Sequence, residues 1–535
     1  MRNGFRQSMA WLHTWVGLLL GWVLYFMFIT GTVGYLDTEI DRWMMPEAPV
    51  ADLTIPPEPT LNKARHYLEV HAPRAQRWLI SLPVDRNSPY PRVFWSGAQG
   101  EGIEETGSQL LDPTTGAALE TRDTSGGQTL YSMHWRLHYL PRGPSDLIIG
   151  VATMFMLVAL ITGIIVHKKI FKDFFTFRPG KGQRSWLDAH NLVSVLSLPF
   201  QVMITYSGLI FMMFIYMPLV VAAWYGPGQD NRQVFFDEVF SPGAAIDARG
   251  EPAPLTALGD VVSAAQQRWE DAPIASVDIR HPQDANARII VRGNFAAGPL
   301  RAADTLTFDG VTGERLSEQP ALGSGGKAFR DVTVGLHEGL FAGPVLRVLY
   351  VVSGLLGSAM VATGLVFWSV RRRQRIEKAR QVPHPGLRLV EKLNVATVAG
   401  LPVAIAAYFW ANRLLPLDIA NRAEWEVHSL FLTWLVLLGH AVLRPATRAW
   451  FEQLTLAAFA FGLLPLLNFI STDRHLGQSL ATGDWVFAGF DLTALAVGLV
   501  LGWIAWRVLK KLQGPSARTL KAASPARQAL YGEQL

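Results

Sequence analysis

One histidine spacing occurs twice in this chain and limits what it can fold into. His13 opens an apolar run that reaches Thr30-Gly31, and His190 opens another that reaches Ser207-Gly208. The histidine-to-glycine gap is 18 residues in both, 31 − 13 and 208 − 190. Two further apolar runs follow Leu-His pairs, Leu137-His138 and Leu336-His337, and later carry Thr162-Gly163 and Thr363-Gly364. The approaches to those pairs also match, as Asp-Pro-Thr-Thr-Gly at 112–116 and Asp-Gly-Val-Thr-Gly at 309–313. A unit of helix, soluble segment and helix is therefore duplicated. Each copy contributes one histidine near each face of a membrane. Paired imidazoles on apolar helices are the ligand set of a bis-histidine haem, and two such pairs imply electron transfer across a bilayer.

Composition fits that reading. The chain has 535 residues and is 50% hydrophobic, with a mean hydropathy of +0.20. That suits a membrane protein with sizeable soluble insertions. The absence of cysteine excludes disulfides, iron–sulfur clusters, covalently attached haem and Cys-ligated zinc. Any metal must be held by His, Met or carboxylates. The net charge of +5 is small for this length, and the basic residues sit beside apolar runs rather than in a nucleic-acid-binding patch.

Eight apolar runs are each long enough to span a hydrocarbon core of ~30 Å. They lie near 13–36, 145–167, 190–224, 344–370, 393–415, 427–443, 450–470 and 486–508. The first contains Trp15 and Trp22 and has no small-residue cleavage site before Asp37, so it reads as a retained helix rather than a signal peptide. Lys168, Lys169, Lys172, Arg178, Lys181 and Arg184 fill one loop, and Arg371, Arg372, Arg373, Arg375, Lys378 and Arg380 follow the fourth run. With Arg2, Arg6, Arg444, Arg448, Arg507, Lys510 and Lys511 they all fall on one side of an eight-helix topology, which predicts cytoplasmic termini and a cytoplasmic tail at 512–535.

Two long segments, 37–144 and 225–343, then lie outside. Residues 60–71 and 256–270 read as helices; 78–82, 93–95, 276–280 and 288–292 read as extended. The two Asp-to-Gly pentapeptides read as turns between strands. Two small α+β domains of related fold are expected, the first preceded by a Pro-rich linker at 45–59. The last four helices, within 390–511, do not repeat the pattern and carry only His428 and His440 in their spans.

The haem-ligand assignment pairs His13 with His190 and His138 with His337 as axial iron ligands. Equivalent side chains on duplicated helices face one another across a pseudo-two-fold axis. His134, four residues before His138, is the alternative ligand or a propionate contact, and His167 is a competitor on the cytoplasmic side. Arg136, Arg142 and Arg347 are candidate propionate partners, with interfacial anchoring as the plain reading. His440 reads as an extra ligand or quinone contact, or as structural. Gly323-Ser324-Gly325-Gly326-Lys327 lacks the spacing and hydroxyl residue of a phosphate loop and reads as an ordinary loop.

These motifs, in this order, resemble the PepSY-associated transmembrane family, iron-regulated bacterial inner-membrane proteins that include ferric-siderophore reductases. The resemblance rests on His13 with Thr30-Gly31, Leu137-His138 with Gly143 and Thr162-Gly163, His190 with Ser207-Gly208, and Leu336-His337 with Gly343 and Thr363-Gly364. It implies an α-helical integral membrane protein whose duplicated four-helix core carries two small α+β PepSY-like periplasmic domains and one or two b-type haems. The expected architecture is eight transmembrane helices, that core plus four C-terminal helices. The expected activity is that of an oxidoreductase of the bacterial inner membrane. Electrons from quinol or an unidentified donor pass through a His13/His190 haem to a His138/His337 haem and on to Fe(III) in a siderophore or other chelate. No nicotinamide fingerprint is present. Two other readings stand beside it: a non-enzymatic PepSY module that binds or regulates a periplasmic peptidase, and an iron-siderophore permease with Asp491 as the nearest proton-coupling carboxylate.

Overall fold

The computed structural model describes residues 4–97, 106–167, 170–173, 176–240, 247–323 and 325–513. Lys168, Lys169, Ser324 and the tail from 514 onward lie outside these. Eight helices are long and apolar enough to cross a membrane: Phe5–Gly34, Arg142–Val166, Gln183–Phe211, Pro344–Lys378, Pro385–Leu414, Arg422–Leu443, Ala446–Ser471 and Trp485–Gln513. They are called the first to eighth spanning helices below. The apolar run at 190–224 is divided: the third helix, which carries Pro199, ends at Phe211 and a second helix runs Met213–Tyr225. Gly325 opens a helix that runs to Glu338, so the glycine-rich run expected as a loop is in part helical, with Lys327 Nζ 2.9 Å from Asp331 one turn on.

The chain divides into two compact units. The first comprises Met1–Pro46, Arg122–Val202 and Val351–Leu535. Its largest core gathers Tyr25, Phe26, Trp43, Met44, Leu401, Tyr408, Phe409 and Phe487. Here the first helix packs on the C-terminal helices. Trp22 Nε1 donates to Asn394 Oδ1 at 3.0 Å, and Phe26 stacks on Trp434 with centroids 5.4 Å apart. Asn394 also donates to Leu365 O at 3.1 Å and Ser369 Oγ at 2.8 Å in the fourth helix. Directly after it the fifth helix widens into a π-turn, Val395–Ala399. Such a turn re-aims the helix and often lies at functional positions.

The second unit comprises Glu47–Thr121 and Met203–Tyr350. Strands are β1 (Arg77–Ser81), β2 (Arg92–Ser96), β3 (Gly107–Leu110), β4 (Ile274–Arg280), β5 (Arg288–Gly293), β6 (Thr305–Asp309) and β7 (Arg315–Gln319). All belong to one antiparallel sheet ordered β3-β2-β1-β4-β5-β6-β7. The two soluble segments, expected to fold as separate domains, are therefore halves of one sheet. They meet where β1 pairs with β4, Leu79 opposite Asp278. Open edge strands invite such pairing, and no local sequence signal records it. Helices Pro57–His71 and Leu258–Arg268 supply Leu61, Ala64, Leu68, Val261, Val262 and Ala265 to one face, against Trp78, Ile80, Val93, Val277, Ile279, Ile289, Val291, Leu306 and Phe308. That is the outcome of period-two alternation meeting amphipathic helices.

The duplicated pentapeptides adopt duplicated turns. Asp112 Oδ1 accepts from the backbone N–H of Thr114 and Thr115, at 2.9 and 2.7 Å. Asp309 Oδ1 accepts from Val311 and Thr312 at 3.0 and 2.9 Å. Gly116 and Gly313 close the turns at φ +76° and +74°, a conformation that favours glycine. The N–H groups of Thr115 and Thr312 hold the two carboxyls below their ordinary range.

Candidate functional site

Three histidines of the duplicated pattern, His13, His190 and His337, lie in sockets on neighbouring helices, and the Thr-Gly or Ser-Gly dipeptide marks each socket. His13 Nδ1 lies 2.9 Å from Ala159 O and 3.3 Å from Thr162 Oγ1 on the second helix. His190 Nδ1 lies 2.9 Å from Met360 O and 3.3 Å from Thr363 Oγ1 on the fourth. The accepting carbonyl is three residues before the threonine in both, since 162 − 159 and 363 − 360 are equal. The glycine after the threonine supplies the room. A Cβ at Gly163 would stand 3.2 Å from His13 Cε1, and one at Gly364 would stand 3.1 Å from His190 Cε1.

This pairing fixes the tautomer. A carbonyl oxygen only accepts, so Nδ1 carries the proton and Nε2 keeps its lone pair. Among the described residues the hydrogen bonds of both rings are made at Nδ1. A ring whose non-ligating nitrogen is held this way is the usual preparation of a metal-binding imidazole.

The two rings come together. Their centroids are 6.3 Å apart with an interplanar angle of 60°. A metal–imidazole bond of about 2 Å plus roughly 1.1 Å from nitrogen to ring centre puts two axial imidazoles on one metal about 6 Å apart, centre to centre. The separation of the pair is of the length two imidazoles on one metal would need. Among the described residues no group of three or more His, Cys, Asp or Glu side chains could hold a metal ion. Two imidazoles alone suit an iron whose other ligands come from a macrocycle.

The outer histidines are arranged differently from the Leu-His correspondence. His337 Nδ1 lies 2.7 Å from Ser207 Oγ, in the Ser207-Gly208 socket of the third helix. In the first copy the matching socket, Thr30-Gly31, holds His134 and not His138. His134 Nδ1 is 2.7 Å from Met27 O, again three residues before the threonine, and its ring lies against Gly31. The cause is the length of the turn. His134 lies nine residues before Gly143 and His337 six before Gly343, and helix Gly126–Ser132 ends ahead of His134 whereas helix Gly325–Glu338 runs through His337. Burial, opposed by the bond to Met27 O, holds the His134 imidazole below its ordinary range and so neutral.

His138 instead points its Nε2 at Glu424 Oε2, 3.4 Å away, beside a hydrogen bond of 2.7 Å between Tyr139 OH and His428 Nδ1. His167 caps the second helix, and its Nε2 is buried without a hydrogen-bond partner among the described residues. His440 bonds Glu452 through Nε2 at 2.9 Å and Gln453 through Nδ1 at 3.2 Å. Both of its nitrogens are occupied, which gives it a structural role. Arg136 is exposed; Arg142 is exposed and 3.6 Å from Asp146; Arg347 lies in the first turn of the fourth helix. Asp491 is fully buried and receives Trp43 Nε1 at 3.0 Å and Asn468 Nδ2 at 3.3 Å, the arrangement of an anchor.

Sequence reasoning missed the functional part of Thr162, Gly163, Thr363, Gly364, Thr30 and Gly31. It used them as markers of duplication. The signal was present, because Thr30-Gly31, Thr162-Gly163, Ser207-Gly208 and Thr363-Gly364 each follow one of the recurring histidines in the chain.

No curated protein matches the chain. The family described as the PepSY-associated TM region matches residues 10–371, a stretch that begins just before the first of these histidines and ends beyond the last of these sockets. The match spans more than half of the chain, and the protein belongs to the PepSY-associated transmembrane family.

Proposed function

We propose that this protein is a haem-containing oxidoreductase of the bacterial inner membrane that carries electrons outward to reduce Fe(III), held as a siderophore complex, in the periplasm. The observation that carries the reading is the His13/His190 pair. Two imidazoles stand 6.3 Å apart, each with Nδ1 held by a carbonyl of a neighbouring helix and Nε2 left for iron. Haem b, if bound there, would supply one-electron chemistry, and a pair of imidazole ligands would favour electron transfer over oxygen binding. His13 and His190 would hold the iron. Thr162, Thr363 and the two carbonyls fix the ring orientation, and Gly163 and Gly364 let the rings approach. His134 and His337, each with its own socket, are the ligand candidates toward the outer side. The electrons come from outside the chain, from quinol or an unidentified donor. Reduction releases the metal because hard oxygen donors bind Fe(II) less well than Fe(III).

The test is the visible spectrum of the detergent-purified protein, oxidised and dithionite-reduced, with haem counted per chain. Sharp reduced α and β bands are expected. His13→Ala and His190→Ala should each remove about one haem per chain, since one axial ligand alone holds b-type haem weakly. A colourless protein from haem-replete cells would overturn the reading and leave the binding module or the permease.

A further inference from the structure

The sheet has a second face, turned away from its two helices, and that face is unusually basic. Alternation and pairing place its residues in rows across the strands. One row runs Ser96, Arg77, Arg280, Arg288, Asp309 from β2 to β6. The next runs Phe94, Leu79, Asp278, Ile290, Thr307, and the third runs Arg92, Ser81, Ser276, Arg292, Thr305. These rows hold five arginines and two aspartates, a surplus of 5 − 2 = +3. Arg77, Arg280 and Arg288 are directly paired neighbours, an arrangement that like charges disfavour.

The charge is gathered rather than scattered. Asp278 is fully buried, and three guanidiniums converge on it: Arg77 at 2.8 Å, Arg280 at 3.2 Å and Arg292 at 3.2 Å. Arg77 meets it with two N–H groups, whereas Arg280 and Arg292 each direct one. Their remaining donors stay with side chains that are 37% exposed. Asp278 thus holds a guanidinium cluster open, with Leu79, Ile290 and Phe94 interleaved as apolar seats. Planar forks of this kind suit anionic oxygens, and the apolar residues suit the arms of an organic chelator.

We propose that this face docks a negatively charged Fe(III) chelate of the catecholate or carboxylate class and so selects the cargo by charge. The inference rests on the Fe(III)-reduction reading for the identity of the cargo. It concerns capture only, and the field of the cluster speeds encounter as well as holding the ligand.

The test uses the full-length protein in detergent and the redox-inert probe Ga(III) tricatecholate, titrated at low salt with neutral Ga(III) trihydroxamate as comparison. Gallium has the charge of Fe(III) and is not reduced, so binding is read without electron delivery. The anionic probe is expected to bind about 10-fold more tightly, an advantage that shrinks as salt rises and disappears in Arg280→Gln/Arg292→Gln. Arg74→Gln, on the exposed turn after helix Pro57–His71, should keep it. Should the double variant not fold by circular dichroism, each single variant is expected to lose about 3-fold. Equal binding of the two probes, or an advantage that survives the double substitution, overturns the proposal. So does face-dependent binding to phosphatidylglycerol vesicles without binding of the chelate, which would make the occupant a lipid headgroup. A colourless protein that still discriminates between the probes would sink the reductase reading and leave the docking site standing.

Discussion

At Gly163 a side chain would begin 3.2 Å from the carbon of His13 that lies between its two nitrogens. Gly163→Val adds two methyl groups beyond that point and forces the ring out of its socket. The expected result is a loss of about one haem per chain with helicity unchanged, measured by haem extraction and far-ultraviolet circular dichroism; an intact haem count would refute the socket. The positions of His13, His190 and His337 and the four hydroxyl-glycine dipeptides were legible in the sequence, because the spacing recurs in both copies. Which dipeptide serves which histidine was not legible, since that depends on which helices lie side by side. The Leu-His pairs also misdirected the outer assignment. Leu137-His138 matches Leu336-His337 as text, but the longer turn of the first copy brings His134 into the socket.

At the scale of the element, the sheet was half visible. β1, β2, β4 and β5 alternate apolar and polar residues and announce themselves. β7, Arg-Leu-Ser-Glu-Gln, is exposed along its whole length and offers no apolar face to read. The pairing of β1 with β4 joins segments that two membrane helices separate in the chain, and no local pattern encodes that. At the centre of the sheet, burial pushes the Asp278 carboxyl upward, but hydrogen bonds from Arg77 and the charges of Arg280, Arg77 and Arg292 outweigh it and leave a net lowering. A carboxyl lowered on folding stabilises the sheet fully above its unfolded value, near 3.8, and that contribution is lost as pH falls through the folded value. Asp278→Asn removes the charge at every pH and leaves three arginines facing one another. It is expected to destabilise the sheet by about 3 kcal/mol at neutral pH and to flatten the acid limb of its unfolding curve. Tryptophan fluorescence from Trp78 and Trp95 would follow both, and an unchanged acid limb would count against the cluster.

On the scale of the whole molecule, the four C-terminal helices lie beyond the family match, yet they complete the core of the first unit. Helix Asp37–Met44 enters it with Trp43, which is stacked on Phe490 at 4.1 Å, lies under Arg413 at 3.8 Å and donates to Asp491. Tyr25 and Phe26 on the first helix are buried against the same core. A chain ending at Arg380 would expose all of these. It is expected to elute from size exclusion as an aggregate, whereas full-length Trp43→Phe, which loses one buried hydrogen bond at a cost of about 1–3 kcal/mol, should remain monodisperse. A monodisperse truncated chain would show instead that these helices are an independent attachment.

The seam between β1 and β4 also speaks to how such a chain came to exist. Equivalent strands of two repeats run antiparallel, Arg77 opposite Arg280 and Ser81 opposite Ser276. Two identical subunits related by a two-fold axis make that same contact. A protein of one repeat would carry this strand as a bare edge and, in that state, would have to find a second copy of itself. With both repeats in one chain that contact is intramolecular, forms without a search between molecules, and leaves the two halves free to differ.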